Sequence, residues 1–284
     1  MTTQESYGPT SYGSELADIY DHWITRLQQD TDATVRFLAE HTDRAAKDTG
    51  ARTALELGVG TGRVALPLAG LGVEVTGVDA SEEMLGLLRA KPGADAVTLV
   101  TGDFTDPPAR GPYTLAYIVF NTLYSLPTQD DQVRCLANTA RLLADGGLFV
   151  FQGFVPDTAR FEAGHHSGHR MEVARTAGAS LSLGIARHDP VAQHMYPRYS
   201  LTDAPADTPG SAGATGGRDG TGTGAGTREH TVRFRYVWPA ELDLMARLAG
   251  LTLERRFADW EGTPFAADSQ AHVSVYRKSG PAPR

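Results

Sequence analysis

One cysteine, Cys135, among 284 residues excludes a disulfide within the chain and fits a reducing compartment. No apolar run approaches the roughly 20 residues of a membrane-crossing helix. The stretch from Met1 to Ser11 is polar, so no signal peptide is expected, and the cytoplasm is the expected location. A basic surplus is also missing: Lys and Arg total 26 against 34 Asp and Glu, a net charge of −8. Neutralising a phosphate backbone takes clustered Lys and Arg, so no nucleic-acid partner is expected, and no membrane partner either. The length suffices for one large α/β domain with additions.

Thr53 to Leu57 is a short apolar run, right for one buried strand. Gly58, Gly60 and Gly62 follow at alternate positions, and Val64 to Leu71 reads as helix, with Pro67 predicting a kink or a late start. Strand, glycine turn and helix together bring backbone N–H groups and a helix N-terminus up to a ligand. A dinucleotide fingerprint would read G-x-G-x-x-G/A. Here Gly62 comes one residue early and Arg63 holds the last small position, which argues against a nicotinamide dehydrogenase.

Ser14 is a candidate N-cap for a helix to about Gln29, with Leu16, Ile19, Tyr20, Trp23 and Leu27 on one stripe. A second helix restarts at Thr31, buries Val35 and Leu38 and ends before Ala51. The pair reads either as a cover over a sheet or as a lid carrying the hydroxyls of Tyr12 and Tyr20. Val73 to Val78 is the next strand and ends in Asp79, roughly 20 residues after Gly58, the spacing at which a carboxylate reaches ribose hydroxyls. Ser81 caps a helix with Glu82 and Glu83 in its first turn, and Met84 is either an adenine contact or core.

Val97 to Val100 and Tyr113 to Phe120 are further strands, followed by Gly102-Asp103-Phe104 and by Asn121-Thr122-Leu123-Tyr124. Thr128 caps a helix burying Val133, Leu136, Ala137, Ala140 and Leu143, which makes Cys135 a structural or surface thiol. Asp145-Gly146-Gly147 supplies its glycine stop. Leu148 to Phe151 is continuously apolar, a strand buried on both faces. Such alternation predicts a parallel, doubly wound sheet.

Past Phe154, residues 170–187 and 191–201 hold alternating segments read as antiparallel strands over the strand ends, a substrate cover or a dimer surface. Residues 203–228 read as a flexible Gly-rich loop. Val232, Phe234 and Tyr236 alternate as a half-buried strand. Pro239 opens a helix with the stripe Leu242, Met245, Leu248 and Ala249, and Leu251–Phe257 with His272–Tyr276 form a closing pair.

The pattern Glu56-x-Gly58-x-Gly60-x-Gly62, followed by Asp79 and Asp103, resembles motif I and the later acidic positions of class I S-adenosylmethionine-dependent methyltransferases. The chain is most similar to small-molecule enzymes of secondary metabolism, and distantly to amino-sugar N-methyltransferases through Ala17-Asp18-Ile19-Tyr20-Asp21 and the added strands. The resemblance implies a Rossmann-like, doubly wound seven-stranded α/β sheet with an antiparallel last strand, plus an added antiparallel β cover. Four parts follow: an N-terminal helical lid (1–50), the donor-binding core (51–155), the inserted cover (156–238), and a C-terminal helix and hairpin (239–284). The cover is also the candidate surface for a homodimer.

The same resemblance implies S-adenosyl-L-methionine as donor. Gly58, Gly60 and Gly62 would line its amino-acid end with Glu56 behind them. Asp79 and Ala80 would face the ribose, and Met84, Asp103 and Phe104 the adenine. Phe120 and Asn121 would border the methyl, and Tyr20 would also contact the donor. Asp103 has a second reading, as the Asp of a turn. Asn121-Thr122-Leu123 lacks the two prolines of exocyclic-amine nucleic-acid enzymes, and Cys135 lacks the preceding proline of cytosine C5 enzymes, so a small-molecule acceptor, methylated at N or O, is implied. Candidate bases are His165, His166 and Tyr12, with His169 and His194 as rivals; His272 reads as structural. The histidine cluster also has zinc spacing, against which stands a solvated loop, and no metal is expected. The alternative is a family member that binds the donor without methylating, a cyclase or a ligand-binding module.

Overall fold

The computed structural model describes residues 30–157, 171–175, 179–203 and 226–279, with Gly13, Ala17, Tyr20 and Asp21. Tyr12, most of the helix expected after Ser14, the His165–His169 cluster and residues 204–225 lie outside the described residues. In chain order the strands are β1 (Thr53–Leu57), β2 (Glu74–Asp79), β3 (Val97–Thr101), β4 (Tyr113–Ile118), β5 (Leu143–Phe154) and β6 (Met171–Arg175). They continue with β7 (Ala179–Asp189), β8 (His194–Asp203), β9 (Thr227–Thr231), β10 (Phe234–Arg235), β11 (Leu251–Phe257) and β12 (Ala271–Lys278). The helices are α1 (Thr31–Thr49), α2 (Ala65–Gly70), α3 (Glu82–Arg89), α4 (Gln129–Leu142) and α5 (Pro239–Leu248).

The strand order β3-β2-β1-β4-β5-β12-β11 makes one seven-stranded sheet. β1 runs parallel to both β2 and β4, while β12 alone is antiparallel to its neighbours β5 and β11. The apolar run in β5 is continuous because both faces are covered. Leu148 and Val150 join Leu38 of α1 and Leu68 of α2 on one face; Phe149 and Phe151 join Leu136 of α4 and Leu242 of α5 on the other. A second sheet, β10-β8-β7-β6 with β9 also on β8, places Leu181, Met195 and Leu201 in the α4–α5 core. The added cover is therefore part of that core. No helix among the described residues is long and apolar enough to cross a membrane.

Local signals were met where the cause is local. Ser81 Oγ accepts from Met84 N, Thr128 caps α4 through Asp131 N, and Pro239 is the first residue of α5. α2 starts late, at Ala65, with Pro67 in its first turn, where a missing N–H costs least.

Five expectations are corrected. α4 stops at Leu142 without a glycine cap; Leu143 is already extended and pairs with Tyr113, while Gly146 (φ 78°) lies in a register shift of β5. Val133 and Ala137 are only half-buried, and the buried face of α4 carries Gln132, Asn138 and Thr139, each hydrogen-bonded. Leu248 is 77% exposed, and Ala246 takes its place in the core. The cover strands reach into the expected loop: β8 runs to Asp203 and β9 begins at Thr227. Residues 232–237 do not alternate as a half-buried strand: only Arg233 is half-buried, and Arg235 and Val237 are as shielded as Phe234. The Arg235 guanidinium is matched by Gln132, Gln193 and Glu241, which allows its burial. Cys135 is fully buried on α4 and its thiol is pushed up to about 12 by desolvation, so it is structural.

Candidate functional site

In an open α/β sheet a crevice forms at the C-terminal strand ends where the order reverses, here between β1 and β4. The glycine turn leaves β1 at that point. Gly58 N and Val59 N both donate to the Val78 carbonyl, at 2.8 and 3.0 Å, folding the loop back on β2. Gly58 has φ 75°, and a Cβ there would stand 2.4 Å from Cγ2 of Thr122, so the loop and the segment after β4 touch only because residue 58 is glycine. Gly60 (φ 53°) differs: beyond its chain neighbours, no atom of a described residue lies within 4 Å of where its Cβ would be. The described residues leave this side of its backbone uncovered.

Asp79, at the end of β2, closes the turn. Its Oδ2 accepts from Gly60 N at 2.8 Å and its Oδ1 from Ser81 N at 3.0 Å. Burial pushes this carboxyl above its usual range, opposed by N–H groups of Ser81, Gly60 and Ala80. A carboxylate offers about four acceptor sites, more than these backbone donors fill, so acceptor capacity is left for a ligand hydroxyl. Behind the turn, Glu56 is 2% exposed and accepts from the Tyr117 phenol at 3.0 Å. Desolvation raises it to about 8, offset in part by Tyr117 and by Arg63.

The other expected residues lie around this centre. Met84 is buried beneath Ser81, and Phe104 is buried in the core with Val78. Asp103 Oδ1 accepts from Thr105 N at 2.8 Å, so the turn-forming reading holds for that oxygen. Phe120 and Asn121, half-buried after β4, both take positive φ, 51° and 64°. Tyr20 packs with Phe120 against one core cluster. Two histidines have contacts of their own: His194 Nε2 meets the Pro127 carbonyl at 2.9 Å. His272 is buried, with Nδ1 2.8 Å from Ser274 Oγ, and burial lowers it to about 3.

Contacts invisible in the sequence join the site. Asp21 accepts from Thr61 Oγ1 at 2.5 Å and pairs with Lys91 Nζ at 2.7 Å, and Lys91 also donates to the Thr61 carbonyl. A Cβ on Gly13 would stand 2.3 Å from Ser81 Cβ. Asp21 and Gly13 thus rest against the turns after β1 and β2. Arg63 donates to Thr31 Oγ1 at 3.0 Å, and burial draws it below its usual value against the charges of Tyr20 and Glu56. A carboxylate with acceptor capacity left, beside a glycine that no other described residue crowds, fits a nucleoside bearing vicinal hydroxyls.

Residues 54–147 match the family described as methyltransferase domain. The chain is 37% identical to the CcbJ methyltransferase from Streptomyces caelestis, with a TM-score of 0.76 over 96% of this chain and 100% of that one. It is 24% identical over 271 residues to a cypemycin N-terminal methyltransferase of Streptomyces sp, covering 95% of this chain and 98% of the relative. Its fold is also that of CalS10, an amino pentose methyltransferase from Micromonospora echinaspora: TM-score 0.67, 18% identity, 92% and 97% coverage.

Proposed function

Because the chain belongs to the class I S-adenosylmethionine-dependent methyltransferases, we propose that it methylates an amine nitrogen of a small natural product, with the Asp79–glycine turn as the donor cradle. The observation that carries this reading is the turn itself: Gly60 N held on Asp79 Oδ2, Gly60 uncrowded by any other described residue, and Thr122 packed on Gly58. Nitrogen is favoured over oxygen by the names of similar proteins, an N-terminal methyltransferase and an amino pentose methyltransferase. S-adenosylmethionine supplies a methyl on a sulfonium, which leaves as a neutral thioether.

The chain's own residues hold and orient. Gly58, Gly60 and Gly62 line the amino-acid end, with Glu56 behind; Asp79 and Ala80 meet the ribose, and Asp103, Phe104 and Met84 the adenine. Tyr20, Phe120 and Asn121 border the acceptor's approach. Alignment of the acceptor nitrogen is worth roughly 7–11 kcal/mol when the geometry is near attack. Its lone pair forms the N–C bond as the S–C pair returns to sulfur, and the ammonium product gives up one proton. His165, His166 and Tyr12 remain the candidates to take it.

The test gives purified protein a donor labelled in the methyl group with a panel of peptide N-termini, amino sugars and matching hydroxyl compounds. Label is expected on nitrogen. Label confined to oxygen would overturn the choice of atom. Donor affinity unchanged in Asp79→Ala would sink the cradle, since a lost charged hydrogen bond costs about 1.5–3 kcal/mol.

A further inference from the structure

Two successive non-glycine residues with left-handed backbone are uncommon, and such conformations persist where the surroundings over-determine them. Phe120 (φ 51°) and Asn121 (φ 64°) form such a pair at the mouth of the β1–β4 crevice. One residue of the neighbouring strand grips both. Gln152 of β5 accepts from Phe120 N through its side-chain Oε1 at 2.6 Å, and from Asn121 N through its own carbonyl at 3.1 Å. The Asn121 side chain returns the contact, its Oδ1 accepting from Phe154 N at 2.8 Å. On the far side, Thr122 is seated against Gly58.

The carbonyls of this turn are not treated alike. Val119, Asn121, Thr122 and Leu123 accept from Thr122 N, Tyr124 N, Ser125 Oγ and Leu126 N. Phe120 alone among them has a carbonyl that accepts from no described residue. The strained pair and the acceptor left over thus sit together after β4.

We propose that Gln152 is a positioning residue for methyl transfer: it locks Phe120–Asn121 in the left-handed turn and so presents the Phe120 carbonyl to the methyl group and to the N–H of the incoming nucleophile. The inference rests on the donor-cradle reading. Gln152 itself touches neither donor nor acceptor in this scheme; it acts through Phe120.

The test uses the full chain and S-adenosylmethionine carrying a 13C methyl, observed by NMR, with donor affinity from calorimetry. Gln152→Met fills the same space without a strong acceptor, Gln152→Asn withdraws the acceptor by one methylene, and Gln152→Glu keeps an acceptor oxygen in place. In the Met and Asn variants the bound methyl resonance is expected to move from its position in the unmodified protein, and in the Glu variant to return. Affinity should stay within about threefold throughout, because the Asp79 cradle is untouched. Should Gln152→Met fail to fold, the Asn and Glu variants carry the comparison. A resonance that stays in place in folded Met or Asn variants overturns the role of Gln152 and leaves the cradle standing. An unmodified chain that binds no donor overturns both.

Discussion

The Tyr117 phenol donates to Oε2 of Glu56 at 3.0 Å, across the parallel pairing of β4 with β1, where both side chains are shielded from water. A carboxyl so placed is easier to keep protonated than to charge. Desolvation lifts it to about 8.

Stability should therefore carry the mark of Glu56. The folded value lies above the unfolded carboxylate value of about 4.3, so the folded chain holds this proton more tightly. The contribution is full below the unfolded value and is lost as pH rises through about 8. Urea unfolding across that window should show a decline that Glu56→Gln flattens. Identical slopes in the two proteins would rule the assignment out. Tyr117→Phe should cost about 1–3 kcal/mol by leaving a buried acceptor unpaired, and should raise Glu56 further.

Gly58→Ala should destabilise through two separable causes. Left-handed strain for a residue with a Cβ is about 1–3 kcal/mol, and the methyl would collide with Thr122 Cγ2. Adding Thr122→Ser deletes that carbon and keeps the hydroxyl that donates to the Val119 carbonyl. The double variant should recover the collision alone, so its unfolding free energy should lie between those of Gly58→Ala and the unmodified chain. Full recovery would mean the backbone is unstrained.

Asp21 is held at the glycine turn through Thr61 and Lys91. The pair is part-exposed, so Asp21→Asn should change global stability by about 0–1 kcal/mol. Limited proteolysis is the sensitive readout: cleavage before Asp30 should speed up and donor should dissociate faster. An unchanged digestion pattern would show that the segment is held by packing instead.

Much of the sheet was legible because its causes are short-range. A five-residue apolar run, glycines at alternate positions, Ser81 and Thr128 as caps and Pro239 at a helix start each act within one turn of the chain. Asp79 was singled out by its distance from Gly58 as a ribose contact; that its carboxylate closes on Gly60 N came only with the structure. The end of α4 was misplaced because Leu143 answers to a partner, Tyr113, that no local pattern names. Arg235 looked like the exposed half of a strand for a similar reason. What buries it is a set of partners from α4, α5 and the β7–β8 turn.

The order of the core strands and helices and the glycine turn were determined by the sequence alone, since hydrophobic period and backbone freedom are properties of neighbouring residues. Tertiary structure alone decided that Tyr117 reaches Glu56, that Gln152 grips Phe120 and that Asp21 pins Thr61 and Lys91. Each of those contacts joins elements distant along the chain, and sheet register or helix docking, which is set by the packing of the whole core, decides which side chains meet.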